Sequence, residues 1–161
     1  MYKAVGTTFI VKSTNRMLLN LRSGKVSYPY TWSFWGGKIE KDEQPMDALR
    51  RELQEEIGFV PPIETLNPLD TYHSKDKSFT YYTYAIITPK EFVPTLNHES
   101  SGYAWVEIGQ FPKPLHNGAK ITLSNKKNIK KLKDLVNLKW SWAKSKYMYE
   151  QNLSYKTLAT Y

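Results

Sequence analysis

One segment of the chain, residues 35–59 with the sequence WGGKIEKDEQPMDALRRELQEEIGF, limits more than any other how the protein can fold. Residues 46–57 follow the periodicity of an amphipathic helix. Pro45 suits the first turn of that helix, and Gly58 is a natural residue at its end. The segment therefore predicts a helix that follows closely on a pair of glycines and ends at a third.

The polar face of this predicted helix carries three carboxylates, Glu52, Glu55 and Glu56, within five positions. On a helical wheel they border the apolar stripe instead of pointing directly into solvent, and Glu56 is the closest to it. Like charges three or four residues apart on a helix repel by roughly 0.2–0.5 kcal/mol per pair. Arg51 can pair with Glu55, but a single arginine cannot neutralise three carboxylates.

Two explanations fit this crowding of negative charge. The carboxylates can form a solvated face that pairs with arginines, as on most acidic helices. Alternatively, they can bind a hard divalent cation, because Mg²⁺ and Mn²⁺ prefer oxygen ligands and often bind phosphate as well. The glycine pair Gly36-Gly37 favours the second explanation, since backbone without side chains can approach a ligand closely.

The rest of the chain indicates strands, loops and one more helix. β-branched and apolar runs predict strands at 4–11, 17–21, 31–35, 70–74, 79–87 and 103–106. Residues 111–120, FPKPLHNGAK, are interpreted as a loop, and Ser124 or Asn125 can cap a final helix with apolar residues at helical spacing. No repeat or linker interrupts the pattern, so the sequence predicts one mixed α/β domain.

Composition excludes several classes of site. The chain has no cysteine, so disulfides, zinc–thiolate centres and a thiol nucleophile are excluded. No apolar run approaches the roughly 18–20 residues of a membrane helix, and the N-terminus lacks the apolar core of a signal peptide. With 161 residues, 40% of them hydrophobic, we expect one soluble domain with no membrane partner, located in the cytoplasm.

The net charge of +8 is unevenly distributed along the chain. Residues 112–161 contain eleven lysines against Asp134 and Glu150, whereas the preceding residues are close to neutral. The same third carries six aromatic residues: Trp140, Trp142, Tyr147, Tyr149, Tyr155 and Tyr161. Such a segment can bind nucleic acid or another polyanion, present a solvated helix face, or dock on the domain or on a second subunit.

The segment at residues 35–59 resembles the signature of the Nudix hydrolase family. That signature is glycine, five residues, glutamate, seven residues, Arg-Glu, an apolar residue, any residue, Glu-Glu, any residue, glycine and an apolar residue. Nine positions match it without a spacing error: Gly37, Glu43, Arg51, Glu52, Leu53, Glu55, Glu56, Gly58 and Phe59. The resemblance extends over residues 3–138 and leaves the end of the chain unexplained.

This resemblance implies an α/β fold, namely an α/β/α sandwich with a mixed β-sheet. It also implies an enzyme that cleaves a nucleoside diphosphate linked to another group. It also implies that Glu52, Glu55 and Glu56 coordinate Mg²⁺, for which Mn²⁺ can substitute, with help from the Gly36 carbonyl. Bound cations offset developing charge and lower the pKa of a water molecule, which then attacks phosphorus.

The same resemblance implies roles for residues around the predicted metal site. Glu43 and Arg51 brace the loop against the helix and orient the catalytic carboxylates. Glu99, six residues before Trp105, is the candidate for a general base or an additional metal ligand. The predicted substrate-binding residues in this set are Arg22, Lys38, His98, His116 and Asn117.

One position departs from the family pattern, because Trp35 stands where many members have a proline before the glycine pair. The indole can pack at the end of a strand, or it can line the substrate pocket and stack on a base. Trp35 therefore bears on substrate choice and leaves the predicted catalytic residues unchanged.

The sequence predicts a Mg²⁺-dependent pyrophosphohydrolase that acts on a small nucleotide, either a nucleoside triphosphate or a nucleotide sugar. GGKIE and RELQEEIG resemble the MutT-like branch, and LNHESSGYAW is similar to nucleotide-sugar hydrolases such as those acting on GDP-mannose. The alternatives are hydrolysis at an RNA 5′ end, with the basic segment holding the polynucleotide, and a non-catalytic nucleotide-sensing module. The expected organisation is a Nudix domain at 1–138 with a basic, aromatic extension at 139–161, as a monomer or homodimer.

Overall fold

The structure is a computed structural model that describes residues 1–137. Its elements are β1 (Tyr2–Val11), β2 (Arg16–Arg22), β3 (Trp32–Ser33), α1 (Pro45–Ile57), β4 (Thr65–His73), β5 (Phe79–Ile87), β6 (Ser100–Glu107), α2 (Asn117–Ser124) and α3 (Lys126–Asn137). Within this part of the chain, no helix has the length and apolar character needed to cross a membrane. The predicted extension at residues 139–161 lies outside the described residues, so its role stays a prediction.

The six strands form one mixed sheet. Five of them follow the order β3-β2-β1-β5-β4, and β6 also pairs with β2. β1 lies parallel to β5, with Tyr2 opposite Phe79 and Ile10 opposite Ile87. The other pairs are antiparallel. A parallel pair needs a long crossover connection. Here the connection from β1 to β5 contains residues 34–44, called the glycine loop because they include Gly36 and Gly37, and then α1.

The separation of β1 from β2 makes room for the glycine loop. These two strands pair through the last residues of β1 alone, where Ile10 faces Met17. Nearer the start of β1, the loop takes the place of β2, and bridges join Thr7 to Trp35 and Ala4 to Lys38. Backbone hydrogen bonds therefore hold the glycine pair along a central strand of the sheet.

Helices cover both faces of the sheet, which confirms the predicted α/β/α sandwich. On one face, α1 packs over a core, here called the α1 core, that includes Phe9, Leu18, Leu49, Leu53 and Ile57. On the other face, α2 and α3 pack over the α2 core, which includes Met17, Leu19, Ala119, Leu123 and Leu132. Because each fully buried leucine contributes about 1.5–3 kcal/mol, these two cores give the site a rigid support.

Trp35 lies in the α1 core and is fully buried. Of the two alternatives predicted for Trp35, packing and substrate stacking, this buried position corresponds to packing. Its indole Nε1 has no hydrogen-bond partner in the described part of the chain. Because an unpaired buried N–H costs about 1–3 kcal/mol, the fit of the large ring in the core must offset that cost.

Most elements predicted from local pattern are confirmed, and their ends differ by a few residues. α1 begins at Pro45 and ends at Ile57, and β5 has the predicted bounds. β4 begins at Thr65, earlier than the predicted residue 70, because its pairing with β5 continues to Ile87. The length of β4 is therefore set by its pairing with β5.

The structure corrects the interpretation of residues 111–120 as a loop, because α2 begins at Asn117 within it. Gly118 in the first turn disfavours a helix, which is why the pattern was missed. Two contacts with the rest of the structure compensate for the low helix propensity of Gly118. His116 caps the first turn, and Ala119 and Leu123 are buried in the α2 core.

Gly58 ends α1 in the left-handed conformation. Its φ is +83°, and its N–H donates to the Gln54 carbonyl at 3.1 Å. An added Cβ at Gly58 would lie 2.9 Å from the Cβ of Thr95. The N–H of Thr95 donates to the Ile57 carbonyl at 2.8 Å, so the loop before β6 is tied to the end of α1.

Replacing Gly58 with alanine is expected to destabilise the fold by more than the conformational cost alone, which is about 1 kcal/mol. Gly109→Ala is the matched control, because Gly109 has φ +104° but an added Cβ would meet no non-adjacent atom within 4 Å. Urea unfolding gives the loss of unfolding free energy for each variant. Equal losses would contradict a steric role for Thr95.

Candidate active site

Arg51 joins the glycine loop to α1 through its guanidinium group. Its Nε and Nη2 donate to the two carboxylate oxygens of Glu43, each at 3.0 Å. Nη2 also donates to the Lys38 carbonyl at 3.0 Å, and Nη1 donates to Oε1 of Glu52 at 2.8 Å. Nη1 lies 3.5 Å from Oε2 of Glu55. One planar group therefore contacts three glutamates and a loop carbonyl.

These contacts affect the pKa of each partner differently. The hydrogen bond from Arg51 holds the pKa of Glu43 below its usual value, and the same bond raises the pKa of Arg51. For Glu52, burial raises the pKa more than the hydrogen bond from Arg51 lowers it. Glu43 is therefore a stable anionic partner for Arg51, whereas burial disfavours the charged form of Glu52.

Glu52 lies directly against the backbone of Gly37. An added Cβ at Gly37 would be 2.5 Å from Oε1 and 2.7 Å from Oε2 of this carboxylate. Such distances leave no space for any side chain. The second glycine of the pair is thus required by the close approach of a carboxylate from α1.

Glu56 is buried beneath the same loop, with 3% of its surface exposed. Its Oε2 accepts a hydrogen bond from the N–H of Gly36 at 2.6 Å. Burial raises the pKa of Glu56 to about 8, and the charges of Glu52 and Glu99 act in the same direction. Without a cation, Glu56 therefore holds a proton at neutral pH.

Glu99 lies near this group, on the loop before β6, and its charge acts on both Glu52 and Glu56. Asn97 holds the loop in place. Its Nδ2 donates to the Glu55 carbonyl at 2.9 Å, and its Oδ1 accepts from the Glu99 N–H at 2.8 Å. Asn97 was not predicted from the sequence, although a short amide two residues before the candidate base is a signal for such a turn.

The chemistry of these donors suits a hard divalent cation. Glu52, Glu55 and Glu56 offer carboxylate oxygens on one side of α1, opposite a loop in which glycines leave room. As they stand, no three His, Cys, Asp or Glu side chains among residues 1–137 are close enough to hold a metal ion together. In this arrangement Arg51 pairs with Glu52 and Glu55.

The predicted substrate-binding residues lie in several different environments. Arg22 donates from Nε to the Ser27 carbonyl at 2.9 Å and from Nη2 to the Ser27 hydroxyl at 3.3 Å. Nζ of Lys38 lies 5.5 Å from the centre of the Tyr2 ring. His98 is exposed beside Glu99 in sequence. As substrate contacts, all three basic residues stay predictions.

His116 caps α2, and Asn117 is the exposed first residue of that helix. The Nδ1 of His116 accepts a hydrogen bond from the Gly118 N–H at 3.2 Å. Because Nδ1 is an acceptor, the neutral ring carries its proton on Nε2. Burial and then the charge of Arg22 lower the pKa of His116. The ring is therefore a neutral donor at the start of α2.

Tyr81 packs against the α2 core, on the side of the sheet opposite α1. A Cβ added at Gly6 would overlap its hydroxyl group, so the absence of a side chain at Gly6 admits the phenol. Burial, followed by the charge of Glu56, raises the pKa of Tyr81. Sequence reasoning missed this residue, because no local signal indicates that β1 and β5 are neighbours.

A family model matches most of the chain. The model described as the NUDIX domain matches residues 2–125, which contain every residue of the candidate site. The matched range ends inside the described part of the chain, just before α3 begins at Lys126.

Two curated proteins are similar to the chain. Nucleoside triphosphatase NudI of Escherichia fergusonii is 28% identical over 102 residues, which cover 56% of this chain and 72% of that protein. The 8-oxo-dGTP diphosphatase of Escherichia coli (strain K12) is 32% identical over 83 residues, which cover 52% and 63%.

A solved structure shares the fold. The crystal structure of RenU, a Nudix hydrolase from M. Smegmatis, matches with a TM-score of 0.64 and 20% identity, covering 87% of this chain and 89% of that chain. At that identity, the similarity concerns the fold alone.

Arg51→Lys is expected to reduce activity by about 10- to 100-fold, because an ammonium group cannot hold Glu43, Glu52 and the Lys38 carbonyl at once. The loss of stability should be about 1 kcal/mol or less, since Arg51 is partly exposed to solvent. Steady-state kinetics with urea unfolding on the same preparations separate the two effects.

Arg16→Lys is the matched control for that variant. Arg16 donates from Nε and Nη2 to both carboxylate oxygens of Glu91, which is not among the candidate site residues. The control therefore removes an equivalent bidentate pair between arginine and glutamate and leaves Glu43 and Glu52 unchanged. A similar loss of activity in both variants would contradict the orienting role of Arg51.

The metal-free protein is expected to lose stability as pH rises from 4.5 to about 8, because the folded state binds the Glu56 proton more tightly than the unfolded state does. This contribution is fully present below pH 4.5 and is lost above about pH 8. Glu56→Gln should remove it. Denaturant unfolding at several pH values, with a chelator, gives the difference between the two proteins.

Glu55→Gln is the control for this pH series, because the Glu55 side chain is 55% exposed. The control should keep the slope of the unmodified protein. An unchanged slope in Glu56→Gln would show that the buried carboxyl does not hold the proton.

Proposed function

Because the chain belongs to the Nudix family, whose members hydrolyse phosphoric anhydrides, we propose that it is a Mg²⁺-dependent nucleoside triphosphate pyrophosphohydrolase. Its relatives include a nucleoside triphosphatase and an 8-oxo-dGTP diphosphatase, which supports a triphosphate as substrate. The observation that carries the proposal is the contact of Arg51 with Glu43 and Glu52, which holds a crowded set of carboxylates against the glycine loop.

In this proposal, α1 and the glycine loop hold the cation between them. The ligands are the carboxylates of Glu52, Glu55 and Glu56, with the carbonyl of Gly36. A bound Mg²⁺ or Mn²⁺ supplies positive charge that stabilises the transition state and lowers the pKa of a water molecule. To hold the cation, Glu56 would have to be ionised, with its proton released to solvent.

The other residues of the site orient groups and move one proton. Arg51 fixes the position of Glu52, and Glu99 accepts a proton from the attacking water. The water oxygen bonds to phosphorus, and the anhydride oxygen leaves with the electron pair of the broken bond. Arg22 and Lys38 supply positive charge to the phosphate oxygens.

Three other possibilities from the sequence stay predictions. A nucleotide sugar would use the same carboxylates and differ in the leaving group. Hydrolysis at an RNA 5′ end depends on the basic segment, of which residues 138–161 lie outside the described part. A nucleotide sensor would not need three crowded carboxylates, so it is disfavoured. A monomeric or homodimeric state and a cytoplasmic location also stay predictions.

Glu52→Gln is expected to lower turnover at least about 100-fold, because the amide cannot ligate a hard cation as an anion. The measurement is release of phosphate or pyrophosphate from a panel of nucleoside triphosphates, nucleotide sugars, ADP-ribose and capped RNA, with Mg²⁺ and then with a chelator. Asp47→Asn is the control, because Asp47 is an exposed carboxylate in the first turn of the same helix.

Full activity of Glu52→Gln would contradict the mechanism. Faster turnover of a nucleotide sugar or capped RNA than of every triphosphate would leave the mechanism intact and show that the substrate assignment is wrong. Activity that survives the chelator would contradict the proposed role of Mg²⁺.

A further inference from the structure

The loop between β2 and β3, residues 23–31, carries two exposed tyrosines that the proposed mechanism does not use. Tyr28 is 58% exposed and Tyr30 is 65% exposed. Their φ angles are +53° and +58°, in the left-handed region that aromatic residues rarely adopt. Tyr28 also precedes Pro29, and a residue before proline disfavours helical conformations. The loop therefore holds Tyr28 in a costly conformation, which is a feature typical of functional sites.

Specific contacts fix the backbone of Tyr28 beside Arg22. Arg22 donates from Nε and Nη2 to Ser27, the residue before Tyr28. The hydroxyl of Thr31 donates to the Tyr28 carbonyl at 2.7 Å, and the N–H of Tyr30 donates to the Arg22 carbonyl at 3.0 Å. The backbone at Tyr28 is thus held beside Arg22, a residue predicted to bind phosphate.

The two tyrosines make different contacts. The Tyr28 ring lies edge to face with the His116 ring, with centroids 5.3 Å apart and an interplanar angle of 80°. Tyr30 instead turns back on its own loop, since a Cβ added at Gly24 would lie 2.5 Å from its hydroxyl. Tyr28 alone of this pair reaches α2, while much of its surface remains exposed.

Arg22 lies close both to the pair formed by Tyr28 and His116 and to the candidate active site. The N–H of Ser23, the residue after Arg22, donates to the Glu99 carbonyl at 2.8 Å, so the loop of Tyr28 begins beside the loop that carries Glu99. A nucleotide whose phosphates bind Arg22 would therefore have room for its base beside Tyr28 and His116. An exposed aromatic face at that position suits a nucleobase, because every base has a flat π-face.

We propose that Tyr28 stacks on the nucleobase of the substrate, with His116 holding the Tyr28 ring in place. The inference rests on the proposed function, since it needs the phosphates to lie at the cation that Glu52, Glu55 and Glu56 would hold and beside Arg22. Stacking reads no hydrogen-bond pattern, so Tyr28 contributes affinity for purines and pyrimidines alike. It contributes nothing to a ligand that has phosphates and no base.

The test is calorimetric binding, with Mg²⁺, of a methylene-bridged nucleoside triphosphate that cannot be hydrolysed, compared with inorganic tripolyphosphate. Tyr28→Asn removes the ring and retains a residue that tolerates positive φ. We expect its dissociation constant for the nucleotide analogue to rise about tenfold and that for tripolyphosphate to stay unchanged. Tyr28→Phe keeps the ring and should restore binding of the analogue.

Tyr30→Asn is the matched control, because it removes an equally exposed tyrosine with positive φ from the same loop. It should bind both ligands as the unmodified protein does. Thermal melting of each variant confirms that the fold is kept. The inference is overturned if Tyr28→Asn binds the analogue normally, or if binding of tripolyphosphate weakens to the same extent.

The outcomes also separate this inference from the proposed function. If the unmodified protein binds the analogue through Tyr28 but hydrolyses no triphosphate, the proposed function fails and the stacking role stands. If the protein hydrolyses triphosphates and Tyr28→Asn binds the analogue normally, the stacking role fails alone. If the unmodified protein binds no nucleotide analogue, both are wrong.

Discussion

The ion-pair network of Arg51 is the interaction on which the arrangement of the site depends. Three glutamates of α1 and the loop before it repel one another, and Arg51 contacts Glu43, Glu52 and Glu55 while also binding the Lys38 carbonyl. A planar guanidinium can make these contacts together, because its donors point in several fixed directions. The network therefore ties the loop to the helix and places Glu52 beside the glycine pair.

Close approach of backbone and carboxylate is the second constraint. Glu52 lies where a side chain on Gly37 would stand, and Glu56 is buried against the N–H of Gly36. Burial raises the pKa of Glu56 because a charge in an apolar environment is unfavourable without a partner. Two cores, one on each face of the sheet, stabilise the fold enough to hold this unfavourable group in place.

Local sequence pattern predicted the elements that depend on local physics. Helix α1, its end at Gly58 and strand β5 follow from periodicity and from the special conformations of proline and glycine. Helix α2 was missed because Gly118 weakens its propensity, and its stability comes from His116 and from packing against the sheet. Trp35 had two interpretations, and the sequence could not choose between them because burial depends on what packs around the ring.

The sequence by itself determined the chemistry of the site, because the spacing of Arg51, Glu52, Glu55 and Glu56 along one helix sets which groups share a face. Only the tertiary structure decided which distant residues join them. The charge of Glu99 acts on Glu56, Tyr81 is close enough to be affected by Glu56, and the Tyr28 ring contacts the His116 ring, although these residues are far apart in the chain. Such contacts depend on the order of the strands, on the parallel pairing of β1 with β5 and on the separation of β1 from β2. Those features arise from packing of the whole sheet, and no short segment encodes them.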